Sequence, residues 1–356
     1  MAIMYSLSNN QVWFVTNPDV RYRKMIKAPV ELNGDFSVAE SILLARQLFL
    51  EIGLDRPNYD TVAWNPVSEL ISPGAKVVLK PNWVLNEYPE GELDCLITHT
   101  DVVEAVLHYV VKAGPRQVTI GDAPICRCNF SRIIKNAELD RLVSTFGSLG
   151  YPISIEDYRL TKSDQRFENK RRIETDPEKH ILFTLDGRSC LSPITTDNPA
   201  FLFTNHDLDM FSTHHYPGSQ NYLIARKFID ADVGINLPKE KTHKKAGATG
   251  AFKNMVGINA FKEYLPHHWK GGSAAGGDCC QGSSWLRILA ENELDRANRS
   301  EKAFFRRGLY FLAGLAQQLS QDKNMDGSWF GNDTAWGMVL DIQRILHYGE
   351  SNGTLA

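Results

Sequence analysis

The sequence has few cysteines, no long apolar run and almost no net charge, and each scarcity excludes a class of protein. Six cysteines among 356 residues show no Cys-x-x-Cys spacing, so neither a zinc ribbon nor an iron–sulfur cluster is expected. No apolar stretch approaches the ~20 residues that span a bilayer, and the first residues lack the basic and apolar regions of a secretory signal. We therefore expect a cytoplasmic protein with free thiols.

The charge balance gives no sign of a polyanionic partner. The 39 basic and 42 acidic side chains leave a formal net charge of −3, so no basic surface for nucleic acid or an anionic membrane is expected. Hydrophobic residues make up 43% and charged residues 23%, which is typical of a globular chain that buries a core. We expect a small-molecule ligand and neither a nucleic acid nor a membrane, and we leave homo-oligomerisation open.

Hydrophobic periodicity predicts an α/β protein, with a mostly parallel sheet flanked by helices and a helical C-terminal segment. We place the α/β core at residues 1–282 and the helical segment, packed on that core, at residues 283–356. Strands are predicted at residues 76–80, 117–122, 152–156, 180–185, 200–204 and 231–236. Helices are predicted at residues 37–53, between Asp101 and Gly114, and at residues 131–147, 284–297, 301–320 and 333–348. Residues 160–180, rich in charge, are expected to form a solvated excursion.

Two pairs of residues have the spacing of a helix capping box. Ser37 with Glu40, and Asp101 with Glu104, each place an N-cap residue three positions before a carboxylate. Near the C-terminus, Asn332 and Asp333 either contact substrate or cap the helix that follows, and the cap carries at least equal weight for Asp333.

Polar residues follow three of the predicted strands. These residues are Lys80 and Asn82 after the first strand, Asp122 after the second, and Asn236 and Lys239 after the third. The carboxyl ends of parallel strands share one edge of a sheet, and ligands bind in the crevice outside that edge. The sequence therefore predicts a binding site there, provided that the three strands are parallel.

The residues after Pro238 combine lysines with small residues. Lys241 and Lys253 stand in turns beside Thr249 and Asn254, which favours contact with an anion, and a helix beginning near Thr249 would direct its N–H groups to the same place. For Lys244 and Lys245 we favour a solvated face. No Gly-x-x-x-x-Gly-Lys-Ser/Thr phosphate loop occurs.

Histidines and carboxylates supply candidates for proton transfer and for metal binding. His99 or His243 would move a proton, with Asp122 as an acid, base or metal ligand. His267, His268 and Asp278 lie in a glycine-rich segment and offer ligands for a divalent metal, although their spacing matches no metal motif. Each histidine has a structural alternative as a hydrogen-bonded side chain.

Five separated motifs together resemble the bacterial family called domain of unknown function 362, over residues 74–260. The motifs are Lys80-Pro81-Asn82, Thr98-His99-Thr100, Gly121-Asp122, the run from Ala231 to His243, and the run from Thr249 to Gly257. Many members of that family carry a ferredoxin-like module, and this chain lacks its cysteine pattern. The resemblance implies a site and names no reaction.

Two further similarities suggest a chemical context. The segments Pro266–Gly271, Gly276–Asp278 and Gly331–Trp336 look like a subgroup associated with sugar, polysaccharide or natural-product genes. Residues 98–122 are similar in pattern to the nickel-dependent lactate racemase fold, which implies carboxylate substrates.

We therefore expect an enzyme that acts on a small carboxylate- or phosphate-bearing intermediate. Lys80, Lys241 and Lys253 would hold the anion, while Asn82 and Asn236 would orient it. The alternatives are a non-catalytic binding or accessory subunit of a biosynthetic complex, and racemase- or epimerase-like chemistry that depends on a metal.

Overall fold

A computed structural model describes residues 12–89, 91–151, 153–160, 176–197, 200–202, 208–282, 284–320 and 326–356. The strands are, in chain order, β1 (Met25–Lys27), β2 (Ser37–Ala39), β3 (Lys76–Pro81), β4 (Gln117–Asp122), β5 (Ile153–Asp157), β6 (His180–Leu185), β7 (Phe201–Leu202), β8 (His215–Tyr216), β9 (Ser219–Ala225), β10 (Val233–Leu237), β11 (Lys241–His243), β12 (Gly247–Thr249) and β13 (His268–Trp269). The α-helices are α1 (Ile42–Ile52), α2 (Thr100–Lys112), α3 (Phe130–Asn136), α4 (Leu139–Ser148), α5 (Leu208–His214), α6 (Arg226–Ile229), α7 (Ala251–Asn254), α8 (Trp285–Arg299), α9 (Ala303–Leu319) and α10 (Thr334–Tyr348). Short 3-10 turns occupy Val30–Leu32, Arg56–Asn58, Leu93–Cys95, Pro177–Lys179, Ser192–Ile194, Met255–Ile258, Lys262–Tyr264 and Ser273–Ala275.

The chain divides into two compact units. The first unit comprises Met1–Pro124, Asn129–Asp157 and Asp230–Lys239, and the second comprises Ile125–Cys128, Tyr158–Ile229 and Glu240–Ala356. None of the helices in the described residues is both long and apolar enough to cross a membrane. The α/β class and the helical C-terminal segment, α8 to α10, are as predicted.

A four-stranded parallel sheet forms the centre of the first unit, in the order β10-β3-β4-β5. The register places Val233 beside Val77, Val77 beside Val118, and Val118 beside Ile153. Such apolar rows are expected in parallel strands, because helices cover them. The helix α2 connects β3 to β4 and packs against α1. The three strands that carry the predicted sheet-edge residues are therefore parallel neighbours, as the prediction of a common edge required.

The second unit is built around an antiparallel sheet in the order β6-β9-β8. Alternate residues of β6, namely Ile181, Phe183 and Leu185, are buried, whereas Leu182 between them is 47% exposed. This alternation is typical of a sheet with one face on a core. The helix α10 contributes Met338, Val339, Ile342 and Ile345 to the same apolar cluster, so it belongs to the core of this unit.

Two helix predictions were wrong in their boundaries. The helix predicted at residues 37–53 begins only at Ile42, because Ser37 lies in β2 opposite Lys27. The side chain of Glu40 pairs with Lys24 and makes no cap, so the Ser37–Glu40 capping box does not form. The helix predicted at 131–147 is interrupted at Glu138, whose φ of 53° is left-handed and ends one helix before the next begins.

The predicted cap of α2 was also misplaced. The helix begins at Thr100, and the N-cap is His99, whose Nδ1 accepts the N–H of Asp101 at 3.1 Å. The side chain of Asp101 instead accepts from the backbone of Arg23 and pairs with Arg141. The strands at 76–80, 117–122, 180–185 and 231–236 and the three C-terminal helices are confirmed to within two or three residues. Residue 152, residues 161–175 and residues 203–204 of other predictions lie outside the described residues.

Candidate functional site

The sheet edge of the first unit is organised by a buried ion pair. The Nζ of Lys80 lies 2.9 Å from Oδ1 of Asp122 and donates to the carbonyl of Pro81 at 2.7 Å. The carboxylate of Asp122 also accepts the backbone N–H of Trp83 at 2.6 Å and of Ala123 at 2.7 Å. Burial lowers the pKa of Lys80, and the charge of Asp122 opposes that shift. These contacts use both side chains to hold the loops that follow β3 and β4.

Asn82 and Asn236 occupy the same edge. The Oγ1 of Thr98 accepts the N–H of Asn82 at 2.9 Å and donates to the carbonyl of Leu237 at 2.7 Å, which ties the loop after β3 to the end of β10. Asn236 stands beside Lys80 in the β10–β3 register. The sheet-edge cluster of Lys80, Asn82, Thr98, Asp122 and Asn236 is therefore a real grouping within the first unit.

His99 stands at the amino end of α2 with its imidazole between two carboxylates. Because Nδ1 accepts the N–H of Asp101, the neutral ring carries its proton on Nε2, which lies 3.5 Å from Oδ2 of Asp94. The ring of Tyr22 stacks on it, with centroids 3.9 Å apart. Burial lowers the pKa of His99, and the charges of Asp101 and Asp94 oppose that shift. The structure thus gives His99 a capping role and a proton directed toward Asp94.

In the second unit, the β11–β12 hairpin places the predicted anion ligands on one face. Lys241 is the cross-strand partner of Thr249, and His243 is the partner of Gly247. Since alternate residues of a strand point the same way, Lys241 and His243 share a face. Lys253 and the buried Asn254 follow directly on α7, which is a single turn.

The charges of three lysines act on the imidazole of His243. Its Nδ1 accepts the backbone N–H groups of Lys245 and Ala246, both at 3.2 Å, so its Nε2 carries the proton. Burial, followed by the charges of Lys253, Lys245 and Lys241, lowers the pKa of His243 to about 3. This imidazole is therefore neutral at pH 7 and donates through Nε2.

Two further histidines lie close to the same lysines. The Nζ of Lys245 lies 3.4 Å from Nδ1 of His268 and 4.0 Å from Oδ2 of Asp326. Burial lowers the pKa of both His267 and His268 well below its usual value, and Lys253 and Lys245 add to the effect at His267. We call the set Lys241, Lys245, Lys253, His243, His267 and His268 the lysine–histidine cluster.

The tautomers of the cluster are complementary. Nδ1 of the neutral His267 donates to the carbonyl of Leu265 at 2.7 Å, which makes its Nε2 an acceptor, opposite in character to Nε2 of His243. Thr249 is only 3% exposed. Its hydroxyl is buried and has no hydrogen-bond partner among the residues that the structure describes. Burying a hydroxyl without a partner costs about 1–3 kcal/mol, so this position favours a ligand or water.

Asp278, His267 and His268 do not form a metal-ligand set among the residues that the structure describes. Its carboxylate accepts the backbone N–H groups of Trp269 and Thr334, and burial raises its pKa. In the described part of the chain, no group of three or more His, Cys, Asp or Glu side chains is arranged to hold a metal ion. The predicted trio is thus separated into a backbone clamp, Asp278, and two members of the lysine–histidine cluster.

Lys245 was wrongly assigned to solvent, while Lys244 is exposed as expected. Only 12% of the Lys245 side chain is exposed. Both residues belong to the turn between β11 and β12, where periodicity gives no signal for facing. Asp326, the carboxylate nearest to Lys245 among the described contacts, had no distinguishing motif either.

Comparison with known proteins identifies one family. The model of the family described as Domain of unknown function (DUF362) matches residues 77–174 and 194–333, which is more than half of the chain. No curated protein and no solved structure matches. The similarities to the lactate racemase fold and to a biosynthetic subgroup receive no support from these comparisons and stay predictions.

Proposed function

Since the chain belongs to the domain of unknown function 362 family, whose name assigns no reaction, we propose that it is an enzyme acting on a small anionic substrate. The observation that carries the proposal is the lysine–histidine cluster of the second unit. Burial and the charges of three lysines lower the pKa of His243. The electrostatic potential at this imidazole is therefore positive, and water is partly excluded from it. A carboxylate or phosphate group is the ligand class that such a potential attracts.

Five polar groups have a proposed role, namely four members of the cluster and the neighbouring Thr249. Lys241 and Lys253 attract the anion, and the buried hydroxyl of Thr249, across the hairpin from Lys241, supplies a hydrogen bond. Nε2 of His243 donates to the substrate, while Nε2 of His267 accepts a proton from it. These roles follow from the tautomers that the backbone contacts impose.

Substrate binding would itself adjust the basicity of the cluster. Burial and neighbouring positive charge keep the imidazoles of His243 and His267 neutral. A bound anion offsets the lysine charges, which raises the histidine pKa values toward the range useful for proton transfer at pH 7. The imidazole thus becomes a better base when substrate is present.

The sheet-edge cluster has a supporting role in this proposal. Asp122 and Lys80 pair with each other and hold the loops after β3 and β4, and Thr98 ties the first of these loops to the end of β10. We propose that Asn82, Asn236 and Lys239 remain substrate-orienting candidates of the first unit, and that His99 exchanges a proton with Asp94.

Inorganic phosphate and malonate are suitable probes for the cluster, with the ring signals of His243 followed by NMR. Both probes are expected to raise the pKa of His243 in the wild-type protein, and Lys241→Met and Lys253→Met to weaken binding at least about tenfold. Lys244→Met is the matched control, because Lys244 is exposed on the same turn. An absence of any response to both anions, or equal weakening by Lys244→Met, would contradict the proposal.

A metal-dependent racemase or epimerase and a non-catalytic accessory subunit are weaker candidates. A metal-dependent enzyme needs a set of metal ligands, and the described residues do not form one. A non-catalytic subunit gives no role to histidines whose pKa values are lowered. Sugar, polysaccharide or natural-product biosynthesis stays the proposed context. Six free cysteines support a proposed location in the reducing cytoplasm.

A further inference from the structure

The helix α9 exposes a continuous apolar face. Ala313 and Ala316 are buried, and the helix packs against α8. Six large apolar side chains are exposed instead, and we call them the apolar stripe: Phe304 (86%), Phe305 (60%), Phe311 (71%), Leu312 (50%), Leu315 (44%) and Leu319 (61%). At 3.6 residues per turn, they fall within about 120° of the helix circumference.

The area of the stripe is too large for an ordinary monomer surface. At about 200 Å² for each phenylalanine, Phe304, Phe305 and Phe311 alone leave roughly 400 Å² of apolar surface in solvent. The three leucines bring the stripe toward the ~800 Å² that each partner contributes to a standard interface. The largest apolar patch of a typical monomer is about 300–600 Å² and often marks an interaction site.

We propose that the apolar stripe is the centre of a two-fold interface with a second copy of this chain, in which the two α9 helices pack antiparallel. The symmetry axis passes between Phe311 and Leu312. Phe304 then faces Leu319 of the second copy, and Gly308 faces its Leu315. A Cβ on Gly308 would meet nothing within 4 Å, so the surface at this position is open to the leucine of the second copy. The stripe is complementary to itself, which a two-fold interface requires.

The distribution of charge on α9 also favours a second copy of this chain as the partner. The charged side chains of α9 are Arg306 and Arg307, both near its amino end. Antiparallel packing places this amino end opposite the carboxyl end of the second copy's α9, which carries no charged residue in the sequence, so like charges do not meet. A helix that lies in a membrane surface is rich in Lys and Arg along its polar face, whereas the sequence of α9 supplies two arginines, both at its amino end.

Sedimentation velocity of the full chain tests the interface and does not depend on the proposed function. The wild-type protein is expected to sediment as a dimer of 40.1 kDa chains. Phe311→Glu is expected to weaken dimerisation more than about 100-fold, because each substitution enters a two-fold interface twice. Phe304→Lys and Leu319→Glu are each expected to give monomers, and the double variant to recover the dimer through two Lys–Glu contacts.

Phe330→Glu is the matched control, since Phe330 is 92% exposed and lies outside the stripe. Cooperative urea unfolding of each variant shows that the monomers are folded. A monomeric wild-type protein, dimers that persist in Phe311→Glu, or a double variant that stays monomeric would each overturn the proposal. Flotation of a monomeric protein with phosphatidylserine vesicles would assign the stripe to a membrane surface and overturn it as well.

Discussion

The ammonium of Lys80 lies 2.9 Å from the carboxylate of Asp122, at the carboxyl ends of two neighbouring parallel strands. The Lys80 side chain is fully excluded from solvent, and that of Asp122 is 5% exposed. Because Asp122 also accepts two backbone N–H groups, this pair fixes where the loops after β3 and β4 begin. Lys80, which the sequence suggested as an anion ligand, therefore forms a buried ion pair with Asp122 at the sheet edge.

Removing one member of this pair is expected to destabilise the fold. Lys80→Met or Asp122→Asn should lower the free energy of unfolding by about 3–5 kcal/mol, because a buried charge loses its partner. Urea denaturation measures the loss. In the double variant Lys80→Met/Asp122→Asn the cost should be smaller than the sum of the two single costs. A Lys80→Met protein of nearly wild-type stability that no longer binds phosphate would instead make Lys80 a ligand.

The pKa of His243 should report on its neighbouring lysines. The imidazole is expected to stay neutral in the folded wild-type protein down to about pH 4, since its pKa is about 3. Lys253→Met should raise that pKa most, and Lys241→Met less, in the order of their charge effects. Ring-proton NMR titration measures both shifts. Lys244→Met should leave the titration unchanged, and an equal shift in that variant would remove the basis for the cluster.

The lysine–histidine cluster should make the protein sensitive to acid. Its three histidines have lowered pKa values in the folded state, whereas the unfolded chain binds protons near pH 6.5. Below pH 6.5 the unfolded state thus holds more protons, so stability falls as pH falls, by up to about 1.4 kcal/mol per pH unit for each histidine. The buried Asp278 and Asp341 act oppositely, because their pKa values are raised.

Comparing His243→Gln with the wild-type protein isolates one of these contributions. Urea unfolding at pH 7, 6 and 5 should show a shallower loss of stability in the variant, by up to about 1.4 kcal/mol per pH unit. Identical slopes in the two proteins would mean that His243 titrates normally in the folded state.

Sequence periodicity was sufficient for the parallel sheet and for the C-terminal helices. β3 and β4 are short apolar runs closed by turn residues, and such a pattern is determined by burial on both faces, whereas β10 at the edge of the sheet is only partly buried. Periodicity could not show that Ser37 pairs with Lys27, because the two residues are ten positions apart. This strand pair forms in place of the capping box that Ser37 and Glu40 predicted. Long-range pairing is the information that local patterns lack.

The sequence predicted which types of residue lie at the candidate site better than it predicted which of them lie together. Lys241, His243, Thr249 and Lys253 do gather in the second unit, since a short hairpin keeps close sequence neighbours together. Asp278 has the right chemistry for a metal, yet its two oxygens are used by backbone N–H groups, which no spacing pattern reveals. Lys245 lies in a turn, where facing depends on tertiary packing.

The turn before α10 offers a direct test of two adjacent residues with similar capping potential. Oδ1 of Asn332 accepts the N–H of Ala335 at 3.0 Å, and its Nδ2 donates to the carbonyls of His267 and Gly327, both at 2.8 Å. Asp333 makes no side-chain cap, although its sequence position favoured one. Asn332→Ala should therefore cost about 2 kcal/mol or more, from the lost cap and two unsatisfied buried carbonyls.

Asp333→Ala should cost less than about 0.5 kcal/mol, because the side chain has no capping contact to lose. Thermal and urea unfolding of the two variants, measured side by side, compare them directly. Asn332 also holds the carbonyl of His267, so its removal should loosen that imidazole and broaden its NMR signal while Asp333→Ala leaves it sharp. Equal destabilisation by the two substitutions would mean that Asp333 contributes as much as Asn332, and would contradict the assignment of the cap to Asn332 alone.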